Sequence, residues 1–194
     1  MGRPRRVHWS NFGVERTIMN YIIRNICIEQ DLLKFHKVHS DANSMLYYGM
    51  EPASSIDKSR ELLNAYASAV VQGKMIIKVI ADATTSEYVG EIGLFNINEL
   101  HHRANSYCIL LPEYRKKGIS KYISKEFYNM IFTSTSINRI QAHTDSRNVN
   151  AKKSLTGIGY QYEGRLYQYE FDKGEYIDID VYSLLRKNYF SNER

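Results

Sequence analysis

The residues best suited to chemistry are the cations between positions 115 and 125. Arg115, Lys116, Lys117 and Gly118 form a turn directly after the run YCILLPEY, and Lys121 and Lys125 follow within two helical turns. Pro112 closes the apolar run. Beyond the turn, Ile119, Tyr122, Ile123, Phe127, Met130 and Ile131 recur as one unbroken stripe of an amphipathic helix. Cations are ordinarily favoured at a helix C-terminus, yet these stand at the N-terminus. There the first N–H groups have no partner within the helix, and the positive end of the helix dipole faces outward. A glycine lets a ligand approach the backbone closely, and cationic side chains add charge-assisted hydrogen bonds. The chemistry this spacing allows is anion binding; a solvated basic turn would carry the same residues.

Other chemistries find little footing. The patterns GxxxxGK[ST], HExxH and GxSxG, the EF-hand loop and a GxGxxG after a strand are all absent from the sequence. His36 and His39 stand three apart on an expected helix and His101 adjoins His102, but no Cys or carboxylate accompanies them at ligand spacing. They read as surface histidines, and no metal is expected. Cys27 and Cys108 cannot build a disulfide framework and read as buried, reduced thiols.

The elements that must position the basic turn follow from residue patterns. A β-branched and aromatic run at 18–24 predicts a strand, and EQDLLKFHKVHS a short helix with Leu32, Leu33 and Phe35 apolar. A second helix opens at SSID, where Ser54 and Asp57 have capping-box spacing, and Gly73 ends it. MIIKVIA and EYVGEIGLFNI read as strands, joined through ELHHRAN to a strand at 106–111. After the helix that begins at Ile119 come the strand RIQAH and the helix NAKKSLTGIG. The strands YQYEGRLYQYEF and YIDIDVYSLL then turn around Asp172, Lys173 and Gly174. This order predicts a mixed α/β sheet with helices on both faces.

The chain has 194 residues, 43% hydrophobic and 24% charged, with 26 Lys+Arg against 21 Asp+Glu and a formal charge of +5. That balance is globular and suits a single domain, expected over residues 18–194. Residues 1–17, with Arg3, Arg5 and Arg6, read as a loose basic arm rather than a nucleic-acid contact. No run approaches the roughly 20 apolar residues of a membrane span, and MGRPRRVHWSNFG has no signal-peptide core. A cytoplasmic location is expected.

Four segments together carry a resemblance. Residues 115–120, RKKGIS, resemble the [Q/R]xxGx[G/A] pyrophosphate loop of the GNAT N-acetyltransferase superfamily. VGEIGL at 89–94 is similar to that family's third strand, and ILLPEYRKKG to its fourth strand running into the loop. NVNAKKSLTGIGY at 148–160 is similar to its fourth helix. The final strands resemble the branch of the ribosomal-protein N-terminal acetyltransferases. The segments stand in the family's order over residues 18–189.

This resemblance implies an α/β fold with a strongly twisted mixed sheet of about seven strands and about four helices on both faces. It implies acetyl-CoA as co-substrate, no metal, and transfer of the acetyl group to a primary amine by direct attack on the thioester. The pantetheine arm would pair with the backbone of Ile109, Leu110 and Leu111 where two central strands splay. The pyrophosphate would lie on the loop of Arg115, Lys116, Lys117, Gly118, Ile119, Ser120 and Lys121, and Asn148 would reach the pantetheine. Glu91 resembles a recurrent position and is the foremost candidate for general base, although GEIG could equally face solvent. Tyr107 and His143 are secondary catalytic candidates. Ala151, Leu155 and Asn105 stand where relatives carry a serine, a tyrosine and an acid, so the usual thiolate donor is not readable here.

The acceptor stays open between a small polar amine or amino sugar and a protein N-terminus. An aminoacyl-tRNA or a purely CoA-binding role are the alternatives, the former resting only on a pI of about 9.1. Tyr160, Tyr162, Tyr167, Tyr169, Tyr176 and Tyr182 could line an acceptor pocket or reflect strand propensity. Glu170, Asp172, Glu175, Asp178 and Asp180 could attract a cationic amine or balance basic neighbours. No membrane partner is expected, and the protein would act as a monomer or homodimer.

Overall fold

The computed structural model describes residues 20–191. The expected basic arm at 1–17 and the first residues of the expected strand, Ile18 and Met19, lie outside them. Seven strands form one sheet: β1 (Tyr21–Arg24), β2 (Ile76–Asp82), β3 (Tyr88–Asn98), β4 (Arg103–Leu110), β5 (Arg139–Asp145), β6 (Gln161–Asp172) and β7 (Glu175–Leu185). Their order is β1-β2-β3-β4-β5-β7-β6, antiparallel throughout except for the central pair β4 and β5.

Two apolar layers cover the two faces. On one, α4 (Ile119–Ser134) and α5 (Val149–Ile158) pack Ile119, Ile123, Phe127 and Ile131 against Ile92, Leu94, Leu110 and Ile140. On the other, α1 (Ile28–His39) and α3 (Ile56–Val71) bring Leu32, Phe35, Val38 and Leu63 onto Val79, Ala81, Ile109 and Leu111. The expected mixed sheet with helices on both faces is the observed one.

The helices number six rather than about four among the described residues. α2 (Ala42–Met45) and α6 (Arg186–Ser191) are too short to show a period of 3.6. The cap of α3 is Ser55, not Ser54: the Ser55 hydroxyl accepts the Lys58 N–H. The fourth strand starts at Arg103, earlier than 106, because its polar residues pair with β3. The hairpin turn is as expected. Lys173 and Gly174 both have positive φ between partners Asp172 and Glu175, a two-residue loop whose twist matches the strands.

Two sequence expectations for single residues change. Cys27 is exposed at the start of α1 rather than buried. His39 is 1% exposed rather than a surface histidine. It falls on the stripe Asp31, Leu32, Phe35, Val38, His39, which is the buried face of α1.

Candidate active site

The central parallel pair is a fork. β4 and β5 pair only from Arg103–Arg139 to Asn105–Gln141, after which β4 runs on to Leu110 and β5 to Asp145 without pairing. The Leu111 N–H donates to the Val89 carbonyl at 3.0 Å, and Ile109 stands opposite Glu91 on β3. Strand groups alternate in direction, so Leu110 and Cys108 turn theirs toward the fork. Of the three residues expected to pair with a pantetheine arm, Leu110 faces the opening, while Ile109 and Leu111 are joined to β3. Gly90 makes this close approach possible. A Cβ there would lie 2.3 Å from the Ile109 carbonyl oxygen.

The basic turn lies at the open end of the fork. Gly118 precedes α4 in the left-handed region at φ 78°, and Lys116 is left-handed at 59°. The Gly118 carbonyl accepts from Tyr122, leaving the first N–H groups of α4 without helical partners. Lys116, Lys117 and Lys121 are exposed, with the Lys117 ammonium 5.4 Å from the Tyr114 ring centre. Arg115 behaves differently: its Nε donates to the Leu110 carbonyl at 2.9 Å and its Nη2 to Ser44 Oγ of α2 at 2.6 Å. It braces the loop. Ile119 is buried in the core, and Ser120 Oγ lies 3.4 Å from Ser154 Oγ on α5. Asn148 caps α5, its Oδ1 accepting the Ala151 N–H at 3.0 Å.

Glu91 does not face solvent; it is 1% exposed. An extra residue in β3, Val89, shifts the register between Ile80–Gly90 and Ala81–Tyr88. The bulge brings Tyr88 and Glu91 to one face, and the Tyr88 hydroxyl donates to Glu91 Oε2 at 3.1 Å. His39 Nε2 lies 3.3 Å from Oε1, its ring stacked on Phe35. Burial first, and the Glu91 carboxylate second, push Tyr48, Tyr88 and Tyr107 well above the ordinary tyrosine value, and Cys108 up to about 12. These groups therefore stay protonated. The hydroxyls of Tyr48 and Tyr107 and Nδ1 of His39 are buried without a hydrogen-bond partner among the described residues.

Further along the same face lies a cavity of ≈ 320 Å³. Its walls are Tyr47, Tyr48 and Gly49 after α2, Phe95 and Asn96 of β3, Asn105 of β4, and His143 and Asp145 of β5. Tyr169, Glu170, Asp172, Ile177 and Ile179 of the β6–β7 hairpin complete it. Lys173 at the hairpin tip reaches the Met45 carbonyl at 3.2 Å, joining hairpin to α2. Three carboxylates line the cavity and no lysine or arginine does. Burial raises the Asp145 carboxyl, but the Arg147 guanidinium bound to it prevails and holds it below its ordinary value. Burial lowers the His143 imidazole, so it is neutral near pH 7.

The three catalytic candidates are thus divided. Glu91 and Tyr107 share one buried cluster, while His143 stands on the cavity wall, with Tyr48 touching both regions. Of the six C-terminal tyrosines, only Tyr169 lines the cavity. Tyr160 and Tyr182 pack in the core beneath α4, and Tyr162, Tyr167 and Tyr176 are exposed. The bulges of β6 at 162–164 and 166–170 break the simple alternation that would have grouped them. Glu170 and Asp172 reach the cavity. Glu175 pairs with Arg147, Asp178 with Arg165, and Asp180 with Arg165 and Lys152. Tyr47, Tyr48 and His39 were not singled out as site residues from sequence; for His39 the stripe of α1 carried the signal.

No helix among the described residues is long and apolar enough to cross a membrane, and no three His, Cys, Asp or Glu residues among them come together as a metal site. Residues 20–161 match the family described as Acetyltransferase (GNAT) domain. The spermidine N(1)-acetyltransferase of Vibrio cholerae is 26% identical over 161 residues, covering 83% of this chain and 91% of that protein. The crystal structure of the Vibrio cholerae spermidine N-acetyltransferase in complex with CoA and spermine superposes with a TM-score of 0.77 at 25% identity. It covers 88% of this chain and 98% of its own. The ribosomal-protein-S5-alanine acetyltransferase of Vibrio fischeri shares the fold, with a TM-score of 0.76 at 20% identity over 91% of this chain and 98% of its own. With the forked sheet, the glycine turn and a family match across most of its length, this chain belongs to the GNAT acetyltransferases and uses acetyl-CoA as its co-substrate.

Proposed function

We propose that the acceptor is a small cationic amine, a polyamine in chemical class, bound in the cavity between α2 and the β6–β7 hairpin. The observation that carries this reading is the lining: carboxylates of Asp145, Glu170 and Asp172 among the rings of Tyr47, Tyr48, Phe95 and Tyr169. Arg147 pairs with Asp145 and Lys173 with Asp172, so Glu170 is the lining carboxylate with no ion pair among the described residues. Carboxylates attract ammonium groups, and aromatic faces add cation–π attraction. A volume of ≈ 320 Å³ is that of a small-molecule site. The similarity to spermidine acetyltransferases supports the same class. With the ribosomal-protein acetyltransferase the likeness is one of fold alone.

In this reading the pyrophosphate of acetyl-CoA lies on the N–H groups after Gly118, beside Lys116, Lys117 and Lys121. The pantetheine follows the free edge of β4 at Leu110 and Cys108, and Arg115 holds the loop rather than the ligand. Asn148 fixes the start of α5 beside the fork. A neutral amine attacks the acetyl carbon, a C–N bond forms, the C–S bond breaks, and the nitrogen loses a proton. Glu91 stands four residues from Phe95 along β3, about 13 Å at 3.3 Å per residue, so it does not touch an amine in the cavity. Neither Tyr107 nor Tyr48 hydrogen-bonds to it, so in this reading water bridges the amine to the Glu91 carboxylate past those two hydroxyls. His143, neutral and on the cavity wall, is the alternative direct acceptor.

The test is a thiol-release assay with acetyl-CoA across polyamines, amino sugars, peptides and charged tRNA. Turnover confined to polyamines, weakened by Glu170→Gln and Asp172→Asn through a raised KM, is expected. Turnover of peptides, amino sugars or charged tRNA without polyamine turnover would overturn the reading.

A further inference from the structure

The departing group of an acetyl transfer is a thiolate, and α5 offers it no donor from Ala151 or Leu155. Ser154 on the same helix is turned to Ser120. The closed end of the fork carries a different set of hydroxyls. The ladder between β4 and β5 stops at Asn105–Gln141, and Ser106 is the first residue of β4 beyond it. Ser106 is 9% exposed, and its hydroxyl donates to the Gln141 carbonyl across the fork at a long 3.2 Å. The Tyr160 hydroxyl, in a side chain 2% exposed, lies 2.8 Å from Ser106 Oγ. Tyr160 packs edge-to-face with Tyr128 of α4 at 5.8 Å.

With the pyrophosphate at the Gly118 turn and the pantetheine along Leu110 and Cys108, the thioester falls at this closed end. We infer that Ser106, backed by Tyr160, donates the hydrogen bond that stabilises the coenzyme A thiolate as it leaves. The Ser106 hydroxyl turns from the Gln141 carbonyl to the sulfur, while the Tyr160 O–H donates to Ser106 Oγ. The electron pair of the C–S bond stays on sulfur, and the nitrogen proton leaves separately to the base. Coupled hydrogen bonds polarise one another, so the tyrosine strengthens the serine as a donor. The titratable groups facing the pair are Tyr128 and Cys108, each pushed up to about 12, mainly by burial. Neither competes as an anion near neutral pH. The inference rests on acetyl-CoA lying in the fork, but not on which amine accepts the acetyl group.

Binding of CoA and of desulfo-CoA, measured by calorimetry at pH 8.5, reads the sulfur contact without any acceptor. The wild type is expected to prefer CoA by roughly tenfold, the size of a hydrogen bond to a charged group. Ser106→Ala should erase that preference and leave desulfo-CoA affinity unchanged. Ser106→Thr should keep the preference, and Tyr160→Phe should reduce it. A wild type without preference, or a Ser106→Ala protein that retains it, overturns the inference. Should Ser106→Ala lose desulfo-CoA as well, Tyr160→Phe decides: an unchanged preference in that variant overturns the inference, and a reduced one supports it. A wild type that binds neither molecule overturns the fork reading itself, a different result from binding both equally.

Discussion

Glu91 shows how far a single residue can be read. Its type and its place after Gly90 marked it as a candidate base, but its surroundings depend on a bulge at Val89 that no spacing rule announces. The bulge turns Tyr88 onto the same carboxylate, and the helical stripe of α1 delivers His39 to its other oxygen. Glu91→Gln is expected to lower kcat by roughly 10²–10⁴-fold while leaving acetyl-CoA affinity unchanged, the pattern of a lost proton acceptor. His143→Gln measured beside it distinguishes the two routes. A loss below tenfold for Glu91→Gln, with a large one for His143→Gln, would assign the proton to the imidazole on the cavity wall.

At the scale of elements, the long periodic pieces were legible and the short or irregular ones were not. The stripe of α4 and the Lys173–Gly174 turn are local patterns, and each appears where the sequence placed it. The helix α2 has four residues, too few to repeat, yet it braces Arg115 through Ser44 and supports one wall of the cavity. The fork was expected from family resemblance alone, because pairing between β4 and β5 joins residues more than 30 apart in the chain. Asn148 caps α5, and an element-level test separates that role from the proposed contact with the pantetheine. Asn148→Ala should destabilise the protein by about 1 kcal/mol through loss of the α5 cap. Asn148→Asp, an equally good cap, should preserve stability and raise the KM for acetyl-CoA if the amide N–H reaches the pantetheine. Thermal unfolding and initial rates read the two effects independently, and an unchanged KM in Asn148→Asp would confine this residue to capping.

Over the whole molecule, charge is divided rather than merely positive. The chain has a net +5, concentrated in part on the loop that precedes α4, while the cavity beside the β6–β7 hairpin is lined by three carboxylates, two of them paired with Arg147 and Lys173. Composition gave the sum but could not give the division, which depends on where β6 and β7 fold back. The sheet edge has its own ion pair: Arg139 of β5 grips Glu163 of β6 with both nitrogens, and Ser183 of β7 donates to the same carboxylate. Arg139 holds the Glu163 carboxyl at about 2 against an ordinary 4.5. A depressed folded value stabilises above the unfolded one and is lost as pH falls, so this contribution should be complete above pH 4.5 and vanish toward pH 2. Partial exposure screens it to a modest size. Glu163→Gln should therefore flatten the pH dependence of urea unfolding within that window, and an unaltered slope would show that the pair contributes nothing. The central claim is that acetyl-CoA binds with its pyrophosphate at the Gly118 turn, and calorimetric titration of the folded Gly118→Asp protein with acetyl-CoA tests it most directly. The space around the missing Cβ is open, and although the left-handed φ of 78° strains any side chain there, Asp and Asn bear that region best, so the variant places a carboxylate where the anion must lie. Gly118→Asn, equally tolerant of that backbone region, controls for shape without charge. The account predicts at least a hundredfold loss of affinity for the aspartate, about 3 kcal/mol, and a smaller loss for the asparagine; affinity within threefold of wild type in Gly118→Asp would contradict it.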